Sequence, residues 1–97
     1  MRRVMVRYKV KPERLEEHEG LIRAVFAELA RTAPQGIRYG AYKEADGLSF
    51  VHVAFVSAEP NPLLSLAAFR EFTSRVAERC EAPPVTTEHT EIGSFGF

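Results

Sequence analysis

The sequence contains no tryptophan and a single cysteine, Cys80, among its 97 residues. One thiol cannot form a disulfide within the chain or build the thiolate cluster that holds a structural metal. Three histidines are present, but His52 and His89 have no carboxylate partner at the spacing typical of a metal site. We therefore predict that the protein binds no metal.

Neither sign of charge is in excess, because 13 Lys and Arg residues balance 13 Asp and Glu residues. Proteins that bind nucleic acid or an anionic membrane usually carry a concentrated basic surface. The composition therefore predicts no nucleic-acid partner and no membrane partner.

Long apolar runs are missing as well. No segment has the length of uninterrupted apolar sequence that a membrane span requires. The first ten residues, MRRVMVRYKV, alternate charged with apolar side chains, whereas a secretory signal needs a continuous apolar stretch. These features predict a cytoplasmic protein.

The segment 48–57, LSFVHVAFVS, is apolar on both of its alternating faces and is interrupted by His52. Such a pattern is typical of a central strand that is covered on both sides. Since 97 residues suffice for one domain only, we assign residues 1–97 to a single domain organised around this strand.

Hydrophobic periodicity predicts six elements along the chain. Alternation of apolar and polar residues indicates strands, and apolar stripes at a period of 3.6 indicate helices. The predicted elements are strand 3–10, helix 12–32, strand 36–44, strand 48–57, helix 62–81 and strand 85–93.

The connections between these elements carry recognisable turn and cap residues. Asp46-Gly47 predicts a tight two-residue hairpin, which makes the second and third strands antiparallel neighbours. Asn61 is suited to cap the second helix, whose buried stripe extends to Cys80. Pro83-Pro84 should prevent that helix from continuing, and the polar strand that follows resembles a sheet edge.

This order of elements predicts an α+β fold of the ferredoxin-like βαββαβ type. In that fold, two helices cover one face of a four-stranded antiparallel sheet. The other face is left bare although the central strand is apolar on both sides, so we expect a second copy to cover it. Phe95 and Phe97 at the end of the chain should help this homodimer to form.

Three segments carry a resemblance to a known family: VMVRYKVKPERLEEHEGLIRAVF at 4–26, SFVHVAFVS at 49–57 and EIGSFGF at 91–97. Through them, nearly the whole chain resembles the dimeric α+β barrel proteins that include antibiotic-biosynthesis monooxygenase-like domains. The resemblance implies a barrel formed by two sheets. It also implies an activity from a group that includes cofactor-independent monooxygenases, haem-degrading enzymes and small-molecule isomerases or decarboxylases.

Two positions depart from the family pattern. Enzymatic members often carry a tryptophan at the end of the third strand and a histidine in the second helix, whereas this chain has Phe55 or Val56 at the first place. It has no histidine between Asn61 and Cys80. The departure argues against haem degradation and against the best-known monooxygenase chemistry, and we expect no cofactor.

His52 and Arg7 are the candidate catalytic residues. An imidazole among apolar neighbours on a central strand can have a shifted pKa and act as a general base, although a structural histidine bonded to a tyrosine has the same pattern. Arg7 lies on the uncovered face of the first strand, where it could hold an anionic substrate in the barrel or pair with Glu88 or Glu91.

Aromatic side chains are the candidate substrate-binding groups. Tyr8, Tyr39 and Phe55 could contact a small hydrophobic or aromatic ligand, although large rings are equally common at dimer interfaces. His18 falls on the apolar stripe of the first helix, where a packed histidine is the expected interpretation. Cys80 should be an unreactive buried thiol.

Two functions are compatible with these residues. One is a cofactor-independent enzyme that acts on a small aromatic or polyketide-like molecule, and the other is a non-catalytic module for ligand binding or dimerisation. A cavity of a few hundred Å³ with convergent polar groups would favour the enzyme, whereas a filled core would favour the module.

Overall fold

The computed structural model of the protein describes all residues 1–97. The strands are β1 (Arg2–Val10), β2 (Ile37–Lys43), β3 (Ser49–Val56) and β4 (Cys80–His89), the helices are α1 (Leu15–Thr32), α2 (Ala67–Ser74) and α3 (Val76–Arg79), and 3₁₀ turns occupy Pro12–Arg14 and Pro62–Ser65. The predicted ferredoxin-like α+β fold is confirmed.

The four strands form one antiparallel sheet in the order β2-β3-β1-β4. The predicted central position of β3 and the edge position of β4 are both confirmed. Val6 of β1 and Ala41 of β2 lie opposite His52 of β3. This register places His52 in the middle of the sheet, with a strand on either side.

The two faces of the sheet differ in burial because alternate residues point to opposite sides. Tyr8, Phe50 and His52 face the helices and are buried, and they pack with Val25 of α1 and Phe72 of α2. The opposite face has no helix over it and is called the open face below.

The predicted second helix at 62–81 is wrong as a continuous element. Leu66 has an extended backbone (φ −83°, ψ 124°) and separates the 3₁₀ turn from α2, and Arg75 (φ −134°, ψ 25°) separates α2 from α3. Asn61 caps the 3₁₀ turn, since its side chain accepts a hydrogen bond from the backbone N–H of Leu63 at 3.0 Å. The break lets both Leu63 and Leu66 be buried.

The predicted position of Cys80 on a helix is wrong as well. Cys80 is the first residue of β4 and lies opposite Val10 of β1. Pro83-Pro84 lies inside this strand rather than after a helix. The register shifts there, because an edge strand tolerates prolines whose missing N–H groups interrupt the hydrogen-bond ladder.

The hairpin between β2 and β3 is antiparallel as predicted, but its loop is longer than two residues. The backbone N–H of Glu44 donates to the carbonyl of Ser49 at 2.8 Å, which leaves residues 45–48 in the loop. The Asp46 carboxylate accepts hydrogen bonds from the backbone N–H groups of Leu48 (2.9 Å) and Ser49 (2.8 Å). An aspartate that bonds the backbone two and three residues onward shapes the loop in this way.

Gly36 should not tolerate a side chain. Its φ of +82° is unfavourable for other residues, and an added Cβ would collide with the Cβ of Ala58. We expect Gly36→Ala to lower the free energy of unfolding by about 1–2 kcal/mol for the backbone strain, and by about 1–3 kcal/mol more for overpacking. Urea unfolding measures the sum.

Gly47→Ala is the matched control for Gly36→Ala. Gly47 has a similar φ of +75°, but no atom lies within 4 Å of an added Cβ. Gly47→Ala should therefore lower the free energy of unfolding only by the cost of the backbone strain. Equal losses in the two variants would contradict the close approach of Gly36 to Ala58.

Candidate active site

A cavity of about 300 Å³ lies between the helix-covered face of the sheet and the segment from Asn61 to Val76. Its walls are largely apolar and include Val4, Val6, Ala54, Leu63, Phe69 and Phe72. Three polar aromatic side chains, those of Tyr8, Tyr39 and His52, also line it. A concave apolar site with a few convergent polar groups is the usual form of a small-molecule site.

The His52 imidazole is held between two tyrosines. Its Nε2 lies 2.6 Å from the hydroxyl oxygen of Tyr8, and its Nδ1 lies 2.5 Å from that of Tyr39. These three residues come from β3, β1 and β2, which are neighbours in the sheet. The sheet register therefore assembles the trio, with each side chain directed toward the helices.

A second histidine extends this network away from the cavity. His18 of α1 is fully buried, and its Nε2 lies 2.6 Å from the same Tyr8 hydroxyl. On the other side of its ring, His18 Nδ1 accepts a hydrogen bond from Arg79 Nε at 3.0 Å. Arg79 Nη2 also donates to the carbonyl of Phe72 at 2.6 Å. The guanidinium is thus fixed at two points.

Arg79 is buried without a carboxylate partner. Its side chain is 2% exposed, and none of the eight salt bridges in the protein includes it. Glu17 is near enough to act on Arg79 through its charge, but its carboxylate is bonded to Arg14. The guanidinium packs against the Phe72 ring, with Cζ 5.5 Å from the ring centroid. A buried charge of this kind is costly and often marks a functional site.

Burial keeps both histidines neutral at physiological pH. Burial, the Arg79 charge and His52 together lower the pKa of His18 to about 4. Burial alone lowers the pKa of His52 to about 4. Burial also raises the pKa of Tyr8 and that of Tyr39, so both hydroxyls keep their protons. The network therefore consists of neutral groups attached to one guanidinium.

Three of the five residues predicted to form a site come together in the structure. His52, Tyr8 and Tyr39 line the same cavity, whereas Arg7 and Phe55 lie on the open face. The structure thus separates the predicted pair of His52 and Arg7, because Val6 and not Arg7 lies opposite His52 in the register. The catalytic and binding roles of all five remain predictions.

Arg7 already has a partner on the open face. Its guanidinium donates two hydrogen bonds to the Glu44 carboxylate, at 2.7 and 2.9 Å. The alternative partners expected from the sequence, Glu88 and Glu91, instead pair with Arg2 and Arg3. A depression of about 530 Å³ adjoins Arg7 on this face, and Tyr8 is the one residue of the buried polar network that lines it.

Phe55 lies between two other arginines on the open face. The guanidinium carbons of Arg3 and Arg38 are 5.8 and 5.6 Å from its ring centroid. This arrangement resembles a cation–π contact more than a ligand-binding wall.

Sequence reasoning missed Arg79 as a site residue and interpreted His18 only as a packed histidine. His18 is indeed packed, as expected, but it also joins the polar network. A signal for Arg79 was present, because it lies seven residues after Phe72 and three after Val76, at positions that share a helical face. Cys80 is buried as predicted, and burial raises the pKa of its thiol.

No three His, Cys, Asp or Glu side chains are placed so that they could hold a metal ion together. None of the helices combines the length and the apolar character needed to cross a bilayer.

Comparison with known proteins identifies the fold. No family model matches the chain, and no curated protein matches it. A solved antibiotic biosynthesis monooxygenase superposes with a TM-score of 0.77 at 14% identity, covering 96% of this chain and 100% of that chain. A candidate antibiotic biosynthesis monooxygenase from Nitrosomonas europaea also superposes with a TM-score of 0.77, at 18% identity and with the same coverage.

A third match is SnoaB, a cofactor-independent oxygenase from Streptomyces nogalater that was solved as a mutant. It superposes with a TM-score of 0.71 at 17% identity, and covers 99% of this chain and 97% of that chain. These likenesses confirm the predicted fold, which is that of the antibiotic biosynthesis monooxygenase-like domains.

Acid should destabilise the protein between about pH 6.5 and about pH 4. In the folded state His18 and His52 have pKa values of about 4, whereas histidines in an unfolded chain titrate near about 6.5. Between pH values of about 4 and about 6.5 the unfolded state binds more protons than the folded state. The free energy of unfolding is therefore highest above about pH 6.5 and falls as the pH decreases toward about 4. Each pKa unit corresponds to about 1.4 kcal/mol per imidazole.

Urea unfolding at a series of pH values measures this dependence. The slope of the free energy of unfolding against pH gives the number of protons taken up on unfolding. This number should approach two per molecule in the wild type and about one in His52→Gln. His89→Gln replaces an exposed histidine outside the network and is the matched control. Stability that does not vary across this range would contradict the burial of two neutral histidines.

Proposed function

We propose that the protein is a cofactor-independent, monooxygenase-like enzyme that binds a small aromatic or polyketide-like molecule in the helix-side cavity. The observation that carries the proposal is the cavity itself, which is largely apolar and is lined by Tyr8, Tyr39 and His52, with both tyrosine hydroxyls within hydrogen-bond distance of the imidazole. The solved oxygenase with this fold supports the same class of chemistry.

The cavity suits a flat ligand that carries oxygen. The rings of Phe69 and Phe72 offer apolar surface, and the hydroxyl of the half-buried Tyr39 offers a hydrogen bond. Substrates of cofactor-independent oxygenation must form an electron-rich anion before they react with dioxygen. A fixed donor beside the oxygen of such an anion stabilises it in a water-poor site.

In this proposal His52 does not act on the ligand as a direct general base, as the sequence had predicted, but through the tyrosine hydroxyls beside it. Both of its ring nitrogens are within hydrogen-bond distance of tyrosine hydroxyls, and its pKa is lowered. His52 therefore cannot take a proton from a ligand directly, because a tyrosine hydroxyl lies at each of its ring nitrogens. The tyrosine hydroxyls are the groups that would touch the ligand.

Tyr39→Phe should reduce both binding and turnover of an aromatic ligand. A thermal-shift screen of polycyclic ketones and phenols identifies the ligand, because a compound that binds only the folded state raises the melting temperature. Oxygen consumption with that ligand, without added metal or flavin, then measures turnover. Loss of a donor to a developing oxyanion should lower kcat by about 100-fold.

Tyr42→Phe is the matched control for Tyr39→Phe. Tyr42 is on the same strand but is exposed on the open face, so its variant should keep the wild-type rate. Equal activity in all three proteins would exclude Tyr39 from the reaction.

A non-catalytic binding module is the second candidate. It is favoured by the internal hydrogen bonds of the site, in which both histidines are neutral and already have partners. Ligand binding without oxygen consumption would select this alternative.

We further propose that two copies associate through their open faces, as expected from the sequence. Val51, Val53 and Phe55 lie there without a helix over them, and Val85 and Phe97 are largely exposed. Burial of such apolar surface contributes about 25 cal/mol for each Å² removed from water.

Val53→Glu should convert the dimer to a monomer at micromolar concentration. A charge at the centre of the open face would have to be removed from water in the dimer, which is costly, and sedimentation velocity measures the result. Ala24→Glu places the same charge on the exposed side of α1 and should leave the dimer intact. A wild-type monomer at micromolar concentration would contradict the proposal.

A further inference from the structure

Five side chains form one continuous hydrogen-bonded chain through the core. It runs from Arg79 to His18, Tyr8, His52 and Tyr39, over distances of 3.0, 2.6, 2.6 and 2.5 Å. Tyr39, at one end, lines the cavity, whereas Arg79, at the other end, does not. The chain therefore connects a buried guanidinium to the wall of the ligand site.

The first link fixes the tautomer of His18. A guanidinium has only donors, so His18 Nδ1 must accept the hydrogen bond from Arg79 Nε. A neutral imidazole carries one N–H, which is then on Nε2. His18 Nε2 therefore donates to the hydroxyl oxygen of Tyr8.

The remaining links follow from counting hydrogens. The Tyr8 hydroxyl has one hydrogen, and since its oxygen accepts from His18, that hydrogen is donated to His52 Nε2. His52 must then carry its own hydrogen on Nδ1 and donate it to the oxygen of Tyr39. The hydrogen of the Tyr39 hydroxyl has no acceptor in the protein.

We propose that Arg79 fixes the direction of this chain, so that Tyr39 presents a hydrogen-bond donor to the cavity and selects a ligand with an acceptor oxygen. The ligand class is an aromatic or alicyclic ketone, or the corresponding phenolate or enolate. This inference rests on the proposed function in one respect, namely that the cavity holds a ligand.

Arg79 is a positioning residue in this arrangement, because it acts on the ligand only through the chain. If every hydrogen bond in the chain were reversed, Tyr39 would present an acceptor to the cavity. That arrangement would contain the same number of hydrogen bonds among His18, Tyr8, His52 and Tyr39 as the proposed one. The two directions differ in energy only at Arg79, because its guanidinium can donate a hydrogen bond but can never accept one. Its charge, which lacks a carboxylate partner, also favours an anionic ligand over a cationic one.

Nitrogen NMR of ¹⁵N-histidine-labelled protein tests the direction without any ligand. We expect His18 to be protonated on Nε2 and His52 on Nδ1 in the wild type. The opposite tautomer at either histidine would overturn the proposal. This measurement needs no variant, so it does not depend on how a substitution at the buried Arg79 affects folding.

Two variants test whether Arg79 is the cause. Arg79→Lys keeps a group with donors only and should keep both tautomers, whereas Arg79→Met removes the donor and should give a mixture at His52. An unchanged single tautomer in folded Arg79→Met would show that something else sets the direction, and would overturn the role of Arg79.

A pair of probes tests the ligand class. The compounds α-tetralone and tetralin share a bicyclic skeleton, but α-tetralone has a carbonyl group where tetralin has a methylene group. The wild type should bind α-tetralone about fivefold more tightly than tetralin, as one net hydrogen bond predicts. Tyr39→Phe should bind both equally, and Tyr42→Phe should behave as the wild type.

The outcomes of this titration separate the two proposals. Equal affinity of the wild type for both probes would overturn the donor at Tyr39. If neither probe binds and the tautomers are as assigned, the ligand site in the cavity is contradicted, while the direction set by Arg79 stands.

Discussion

The hydrogen bond from Arg79 to His18 is the contact on which the polar interior depends. It joins the end of α3 to α1, and through Tyr8 and His52 it reaches the two central strands and then Tyr39 on β2. A buried guanidinium that lost this acceptor would keep an unsatisfied N–H donor in the core, which is destabilising. In the arrangement proposed above, the same contact also sets the direction of the hydrogen bonds that end at the cavity.

The two faces of the sheet differ in chemical character. The helix-covered face encloses the cavity and the neutral polar network, whereas the open face combines apolar residues such as Val53 with exposed ion pairs such as that of Arg7 with Glu44. Exposed ion pairs add little to stability, so they suit a surface that can associate. The two proposed roles, ligand binding and association, therefore lie on opposite faces of the sheet.

The sequence predicted the fold well because periodicity is a local property. The order of strands and helices, the central position of β3 and the edge position of β4 all follow from alternation and from helical stripes. The break at Leu66 and the start of β4 at Cys80 were not predicted, because both depend on burial against the rest of the core. The propensities of residues 62–81 agree equally well with a continuous helix.

By itself, the sequence determined that Tyr8 lies on the covered face of β1 and that His52 lies on a central strand. It could not determine that these two residues and Tyr39 share a cavity while Arg7 and Phe55 lie opposite. Alternation groups residues within one strand, but only the register between strands, with Val6 opposite His52, relates the face of one strand to that of the next. The contact of Arg79 with His18 was equally a matter for the tertiary structure, because 61 residues separate the two side chains in the sequence and only packing of the helices brings them within hydrogen-bond distance.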